Sequence, residues 1–315
     1  MRIKSRKRAK INSQRFARHF PSLQKHGDIN TNVHMFTQDI QTSVMPIGGK
    51  SNRNPNFNVD LQGVPTHTES ATVVLESLSQ YSRHNLEELL SEAVSNIAQR
   101  LTWGKGITFH EIINDREGEG LYYLEDFTSK RLFHFCGKYI QVIPKRDRKL
   151  WGKTIVVVPD ADVWKLSIPN ELGGYQGFRS TLNKLSRFQS LGPTFWRDDL
   201  ENQRNTDSFD LQRYVKETSI YNLKSTTDWG WDQRSQNHDE WTEFYHIYRI
   251  LRFKWAQAKI REHIVKELNI LFIRLGIEAT IVVNGLPTSN EISTTRQRML
   301  EGYISFSDAY DACSI

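Results

Sequence analysis

The sequence predicts an α+β fold in which a disordered basic arm precedes a helix, an antiparallel β meander and a mainly helical half. Three observations support this prediction. Polar residues without an apolar period fill the first 70 residues, short aromatic and β-branched runs fill 103–158, and one helical pattern extends over 239–275. The chain has 315 residues, which suggests one or two domains with a sizeable core.

Basic charge is concentrated at the N-terminus. Residues 1–70 contain eleven Lys or Arg and four Asp or Glu, a net charge of +7, whereas residues 71–315 sum to −1. Two interpretations stay open: a solvated tail, the usual state of a charge block, or an arm that binds nucleic-acid phosphates without regard to sequence. The cations proposed to bind nucleic acid are Arg2, Lys4, Arg6, Lys7, Arg8 and Lys10.

The polar composition of residues 1–70 predicts a disordered arm, because such a segment has too few apolar residues to offset the entropy of ordering it. We therefore expect deletion of residues 1–60 to leave folding intact.

The portion 71–170 is predicted to contain a helix followed by β-strands. Apolar residues recur at helical spacing over 85–101, and Asn85 is a suitable N-cap. Short aromatic and β-branched runs between turn residues then favour an antiparallel meander over 103–158, with a further strand at 163–166.

The portion 171–238 is predicted to be rich in helix and loop. Residues 174–191 return to helical spacing, a polar stretch follows, and 209–224 is expected to form another helix.

The portion 239–315 begins with the strongest pattern in the chain, a helix over 239–275 with Gly276 at its C′ position. At 1.5 Å per residue this helix would be roughly 50 Å long. Because the mean helix has about 11–12 residues, we expect something outside the chain to cover part of it. A strand over 277–283 and a terminal helix that begins near Ser289 complete the portion.

Composition excludes several classes of protein. No stretch approaches the roughly 18 apolar residues of a membrane span, and the N-terminus lacks the apolar core of a secretory signal. The two cysteines, Cys136 and Cys313, are too few for a disulfide framework or a multi-cysteine zinc site. We expect a reducing compartment, no membrane partner, no metal and no cofactor.

Two short motifs each lack a residue that their chemistry needs. The sequence GGKS at 48–51 resembles the end of a phosphate-binding loop, but Val44 stands where the loop needs its first glycine. The sequence HEIIN at 110–114 has Asn114 in place of the second histidine of a zinc-protease helix. We therefore predict a structural role for His110.

Asp160 and Asp162 are weak candidates for a nuclease-type metal site with Lys165. The spacing places Asp162 and Lys165 on opposite faces of a strand, and a Pro-Asp turn is the simpler interpretation. No Ser/His/Asp or Cys/His set can be assembled from the sequence alone. We predict that the chain is not an enzyme.

Several stretches resemble the portal (head-to-tail connector) proteins of tailed bacteriophages in pattern and in order. They are 99–115, which ends in ITFHEIIND, and its continuation GLYYLEDFTSKRLF; 240–277, EWTEFYHIYRILRFKWAQAKIREHIVKELNILFIRLGI; and 281–306, IVVNGLPTSNEISTTRQRMLEGYISF.

This resemblance implies a structural ring, usually dodecameric, at one vertex of a capsid. Genomic DNA would pass through its channel during packaging and ejection, so the implied partners are other copies of the chain, capsid protein, terminase and double-stranded DNA. The implied location is the virion, assembled in the bacterial cytoplasm. Neighbouring subunits would bury the second face of the long helix, and we expect Leu251, Trp255 and Leu268 at that interface.

The alternative hypothesis is an intracellular nucleic-acid-processing or defence protein. In it the basic arm binds DNA, and Asp160 and Asp162 belong to a cryptic carboxylate site. The long helix, which needs partners, and the spacing of the acids favour the portal interpretation.

Overall fold

A computed structural model describes residues 31–46, 57–79, 85–114, 121–127, 131–146, 148–186, 219–232 and 242–313. Within these residues the chain has an α+β fold of helices and small antiparallel sheets, which confirms the predicted class. They form two compact units, and each unit is assembled from segments that are distant in the sequence.

The secondary structure is numbered in chain order. The helices are α1 Thr31–Thr42, α2 Pro65–Leu78, α3 Leu86–Trp103, α4 Arg148–Trp151, α5 Gly174–Leu185, α6 Glu243–Arg274, α7 Ser289–Leu300 and α8 Phe306–Ala312. The strands are β1 Asn58–Gly63, β2 Ile107–Asn114, β3 Tyr122–Phe127, β4 Leu132–Phe135, β5 Lys138–Val142, β6 Ile155–Pro159, β7 Val163–Ser167 and β8 Ala279–Asn284. None of the described helices is long and apolar enough to cross a membrane.

The first unit comprises Met45–Ser167 and His263–Leu286, within the described ranges, and contains three antiparallel sheets. Strand β1 pairs with β8, β2 lies between β3 and β7, and β5 lies between β4 and β6. The predicted single meander is therefore two separate three-stranded sheets. The difference arises because β7 pairs with β2 instead of with β6, the strand that precedes it.

Helix α3 confirms the prediction made for 85–101. The Asn85 side chain accepts a hydrogen bond from the backbone N–H of Glu88 at 2.8 Å, so it caps the helix as expected. Its apolar stripe is fully buried at Leu90, Val94 and Ile97, which anchors α3 in the core of the first unit.

The second unit comprises Asp28–Val44, Ile168–Glu262 and Pro287–Ile315, again within the described ranges. Its aromatic core centres on Phe36 of α1, whose ring centroid lies 5.5 Å from that of Trp229, 5.3 Å from Trp231 and 6.1 Å from Phe178. The Trp231 indole N–H donates to the Asp39 carboxylate at 2.7 Å, so the buried indole keeps a polar partner.

The arm predicted over 1–70 is wrong over 31–46 and 57–70. The structure places α1, β1 and the start of α2 in this stretch, and Phe36 and Val59 are buried. The sequence obscures α1 because few apolar residues mark its buried face, and it obscures β1 because this strand is held by backbone pairing with β8. Residues 1–30 and 47–56 lie outside the described residues.

Two further expectations change for the same reason. Deletion of residues 1–60 would remove all of α1 and half of β1, so it should not leave folding intact. The four consecutive portions predicted from the sequence, 1–70, 71–170, 171–238 and 239–315, do not coincide with the two units, because each unit combines distant segments.

The predicted helix over 209–224 lies mostly outside the described residues, which show helix at 219–225.

Helix α6 confirms the long helix predicted over 239–275, and Gly276 follows it with φ of 71°, as a C′ glycine does. Leu251 and Leu268 are fully buried by residues of the chain itself. Their burial therefore does not require a neighbouring subunit. Trp255 is partly exposed, and the Arg252 guanidinium lies 4.3 Å from its ring centroid. The predicted interface at these three residues stays a prediction.

Replacing Phe36 with Ala tests whether α1 belongs to the core. We expect Phe36→Ala to lower the free energy of unfolding by about 3–5 kcal/mol, because it leaves a cavity among three aromatic rings. Denaturant unfolding measures this change. The exposed His34 on the same helix supplies the control, and His34→Ala should change stability by less than about 0.5 kcal/mol. Equal stability of both variants would contradict the placement of α1.

The capping box at the start of α7 gives a pH-dependent prediction. Thr288 Oγ1 accepts from the Glu291 N–H, and the Glu291 carboxylate accepts from the Thr288 N–H at 2.8 Å and from its hydroxyl at 2.9 Å. The bond from the Thr288 backbone N–H lowers the pKa of Glu291 most, and the bond from the Thr288 hydroxyl lowers it further. The folded state thus favours the ionised carboxylate, and this stabilisation is present above the ordinary pKa of about 4.3 and is lost as the pH falls through the lowered pKa.

We expect Thr288→Ala to cost about 1 kcal/mol near pH 7, and less once Glu291 is protonated. Urea unfolding of the parent and of the variant at about pH 7 and about pH 3 measures the difference. Thr288→Ser keeps the hydroxyl and serves as the control. A cost that does not change with pH would show that the bond from the Thr288 hydroxyl to the Glu291 carboxylate does not contribute.

Candidate nucleic-acid interface

The hairpin of β4 and β5 ends in a tight turn at Cys136 and Gly137. Both residues have positive φ, 49° and 69°, as a two-residue type I′ turn requires. The register places Phe135 opposite Lys138 and Phe133 opposite Ile140. The turn therefore fixes which side chains share a face of the sheet.

The inner face of the β4–β5–β6 sheet is packed. Tyr139 and Val158 are directly opposite each other and are buried with Phe109 and Val163. The Tyr139 and Phe109 ring centroids lie 5.5 Å apart at an interplanar angle of 64°. This face anchors the sheet in the core of the first unit, so the opposite face points outward.

The outer face of the same sheet is apolar and exposed. Phe133 and Phe135 are 60% and 68% exposed, and Ile155 and Val157 on β6 are each 48% exposed. Because directly paired residues lie on one face, Ile140 lies between Phe133 and Val157 on this surface. Contiguous exposed apolar side chains of this kind mark interaction sites.

Cations flank this apolar face at both ends. Lys138 lies beside the turn at one end of the sheet. At the other end, β5 connects to β6 through 143–154, where the Ile143 N–H donates to the Thr154 carbonyl at 2.9 Å. Arg131 lies at this same end, because its carbonyl accepts from the Val142 N–H. The exposed cations of the connection are Lys145, Arg146, Lys149 and Lys153.

The sequence around this sheet is strongly basic. Residues 130–153 contain eight Lys or Arg and one acid, Asp147, a net charge of +7. Arg148 has a structural task, since its Nε donates to the Ile143 carbonyl at 3.1 Å. We call the outer face and its flanking cations, residues 131–159, the basic-aromatic sheet.

A small polar pocket lies elsewhere in the first unit. It has a volume of about 150 Å³ and is lined in part by Ser79, Asn96, Arg100, His110 and Asp126. His110 Nδ1 lies 2.8 Å from one Asp126 oxygen, and Arg100 Nε lies 2.7 Å from the other. The buried imidazole also packs on Trp164, with ring centroids 5.1 Å apart.

His110 is thus buried between neighbouring strands, since its register partners are Asp126 on β3 and Trp164 on β7. This placement supports the structural role predicted from the HEIIN sequence. Glu111, the next residue, projects from the other face of β2, so the two side chains cannot converge on one metal ion. No group of three His, Cys, Asp or Glu that could hold a metal occurs among the described residues.

Asp160 and Asp162 lie in a 3₁₀ turn between β6 and β7. Asp160 lies 3.5 Å from His134 Nε2 and accepts a hydrogen bond from Tyr139. Burial of the phenol, together with the Asp160 charge, raises the pKa of Tyr139. Asp160 is therefore engaged by side chains of the β4–β5 hairpin, and the turn is the one that the Pro-Asp sequence predicted.

The residues predicted to contact nucleic acid, Arg2 to Lys10, lie outside the described residues. The basic-aromatic sheet is a candidate that the sequence interpretation missed. A charge count over a window of about 25 residues would have found the cations, because the neutral sum over 71–315 averages them with acids elsewhere. No sequence signal distinguishes the exposed Phe133 and Phe135 from core aromatic residues.

Comparisons of the chain with protein-family models, with curated proteins and with solved structures find no match. The resemblance to portal proteins accordingly stays a prediction.

Proposed function

We propose that the chain is a non-enzymatic protein that binds nucleic acid through its basic-aromatic sheet, with no dependence on base sequence. The observation that supports this proposal most strongly is a group of exposed cations on or beside a sheet with an exposed aromatic face: Arg131, Lys138, Lys145, Arg146, Lys149 and Lys153. Nucleic acids are the polyanions that such a surface recognises, since Lys and Arg displace condensed counterions from the phosphates.

The chemistry of the surface favours binding without sequence preference. Exposed lysines such as Lys149 and Lys153 are single point charges that suit phosphates and give no directional match to a base edge. The basic arm would act in the same way, and two linked binding segments strengthen each other by raising the effective concentration of the second. We therefore expect the arm and the sheet to contribute to one binding event.

The test removes charge from the sheet and measures the salt dependence of binding. We expect the variant Lys145→Gln, Arg146→Gln, Lys149→Gln and Lys153→Gln to weaken binding of a DNA oligonucleotide about tenfold or more at low salt. The slope of log K against log salt should become less steep by roughly 0.7–0.9 for each lost contact. Fluorescence anisotropy at several salt concentrations gives both quantities.

A matched control loses the same charge elsewhere. Four exposed cations outside this surface are replaced together: Lys184→Gln, Lys224→Gln, Lys266→Gln and Arg298→Gln. This control should bind with nearly the parent affinity and slope. A second comparison, with and without residues 1–25, separates the contribution of the arm. Equal weakening by the sheet variant and the control would mean that net charge alone, and not this surface, determines binding.

A ring-forming structural role, as the portal resemblance implies, is the second candidate. The observation that favours it is the exposure of two apolar side chains near the end of α6, Ile270 at 47% and Ile273 at 76%. Two exposed isoleucines one turn apart on a helix would form part of the face that a neighbouring subunit covers in such a ring. The exposed pair differs from the positions predicted from the sequence.

Light scattering tests the ring directly. A dodecamer has twelve times the 36.8 kDa mass of one chain, so the ring hypothesis predicts a single species many times larger than the monomer. The variant Ile270→Asp, Ile273→Asp should shift that species toward the monomer. A parent protein that is monomeric over the accessible concentration range would contradict the ring.

A further inference from the structure

We propose that the basic-aromatic sheet prefers single-stranded nucleic acid and stacks two successive bases on Phe133 and Phe135. This inference rests on the proposed function, because it concerns the same surface, and it adds the class of nucleic acid. Both rings lie on the outer face of β4, and each is more exposed than Ile155 and Val157 on the same face.

The spacing of the two rings suits an opened strand. Alternate residues of a β-strand are roughly 6.6–6.8 Å apart. Successive bases in one strand of a duplex are about 3.4 Å apart. The two phenylalanine rings are therefore about twice as far apart as two successive stacked bases. Each ring can contact the face of one base only if the two bases have moved apart. An unpaired strand can separate its bases at low cost, whereas a duplex must unstack its base pairs.

The surroundings of the rings match the two parts of a single strand. Ile140, opposite Phe133, extends the apolar surface toward β6, so the bases can lie on one continuous apolar surface. Lys138, opposite Phe135, lies at one end of this apolar surface together with Asp160, and the cations of 143–154 lie at the other end. We therefore expect most of the phosphate contacts at the end formed by 143–154. Base stacking with phosphate neutralisation is the usual mode of binding single strands without sequence preference.

Charge also argues against a second copy of the chain as the occupant. A symmetric contact through this face would bring the same cations of two copies together, and like charges in an interface oppose association. An anionic membrane surface shares the negative charge but offers no base to stack. Vesicles with phosphatidylserine therefore serve as the competing ligand in the test.

The experiment compares single-stranded and duplex DNA of equal length, using a thymidine oligonucleotide and a hairpin, on the full chain. We expect the parent to bind the single strand more tightly. The variant Phe133→Leu, Phe135→Leu keeps the faces apolar but removes the aromatic rings, and it should weaken single-strand binding by about 5- to 150-fold for each base that no longer stacks. Duplex binding and the salt slope should change far less than single-strand binding, because they depend on the phosphate contacts of the flanking cations.

Two further measurements make the result specific. Phe133→Tyr, Phe135→Tyr keeps the rings and should retain the preference for single strands. A fluorophore attached to the exposed Cys136, beside Phe135, should respond to the oligonucleotide, while Cys313 is buried and should remain unlabelled. If each variant has the same melting temperature as the parent protein, the exposed substitutions leave the fold intact.

The outcomes separate this inference from the proposed function. Equal affinity for single strand and duplex, unaffected by the leucine variant, would overturn the stacking inference and leave phosphate binding in place. No binding of either DNA would overturn both. Binding of vesicles that the leucine variant abolishes, with single-strand affinity unchanged, would assign the aromatic face to a membrane surface and overturn the inference.

Discussion

Buried polar side chains of α6 donate hydrogen bonds to backbone carbonyl groups of the segments that pack around it. In the second unit, Arg249 donates to the carbonyl of Trp231, Gln257 to that of Asp39 at 2.8 Å, and Arg261 to those of Val44 and Pro287. All three donors are 3% exposed. Burial lowers the pKa of Arg261 to about 10, which still leaves it charged at neutral pH. A buried charge of this kind is costly without partners, so each carbonyl must stay in place for the helix to pack.

The last turns of α6 also form hydrogen bonds with backbone groups of the first unit, through side chains that are partly buried or exposed. His263 contacts the Ser167 carbonyl at 3.0 Å, and Arg274 donates to the Val163 carbonyl at 3.0 Å, so the helix contacts both ends of β7. The Asn269 side-chain amide donates to the Ile281 carbonyl and accepts from the Ile281 N–H. These two backbone groups of β8 point away from its partner strand β1, so Asn269 supplies their hydrogen bonds. These hydrogen bonds from α6 hold β7 in place. Because β7 follows directly after β6 and the 3₁₀ turn, they also fix the position of the strand to which the basic-aromatic sheet is connected.

Local patterns in the sequence were sufficient to predict helices α3 and α6 but not the pairing of the strands. Helices α3 and α6 could be predicted because apolar spacing and end signals such as Asn85 and Gly276 lie within one segment. The pairing of β1 with β8 joins residues more than 200 positions apart, and no local pattern specifies such a partner. Helix α1 was missed because its buried face depends on Trp229 and Trp231, which the fold brings beside Phe36. The same dependence on distant contacts explains why exposed and buried aromatic residues look alike in the sequence.

The net charge summed over residues 71–315 does not reveal the basic surface. Residues 71–315 sum to −1, yet 130–153 contribute +7, so the rest of that span carries −8. Screening in physiological salt limits each charge to about 8 Å, so a ligand at the sheet would sense mainly the local cations and, beside the hairpin turn, Asp160. Under the proposed function, these cations would attract a polyanion and orient its approach before any contact forms. Segregated charge of this kind would therefore direct the proposed nucleic-acid ligand to the basic-aromatic sheet, although residues 71–315 as a whole are nearly neutral.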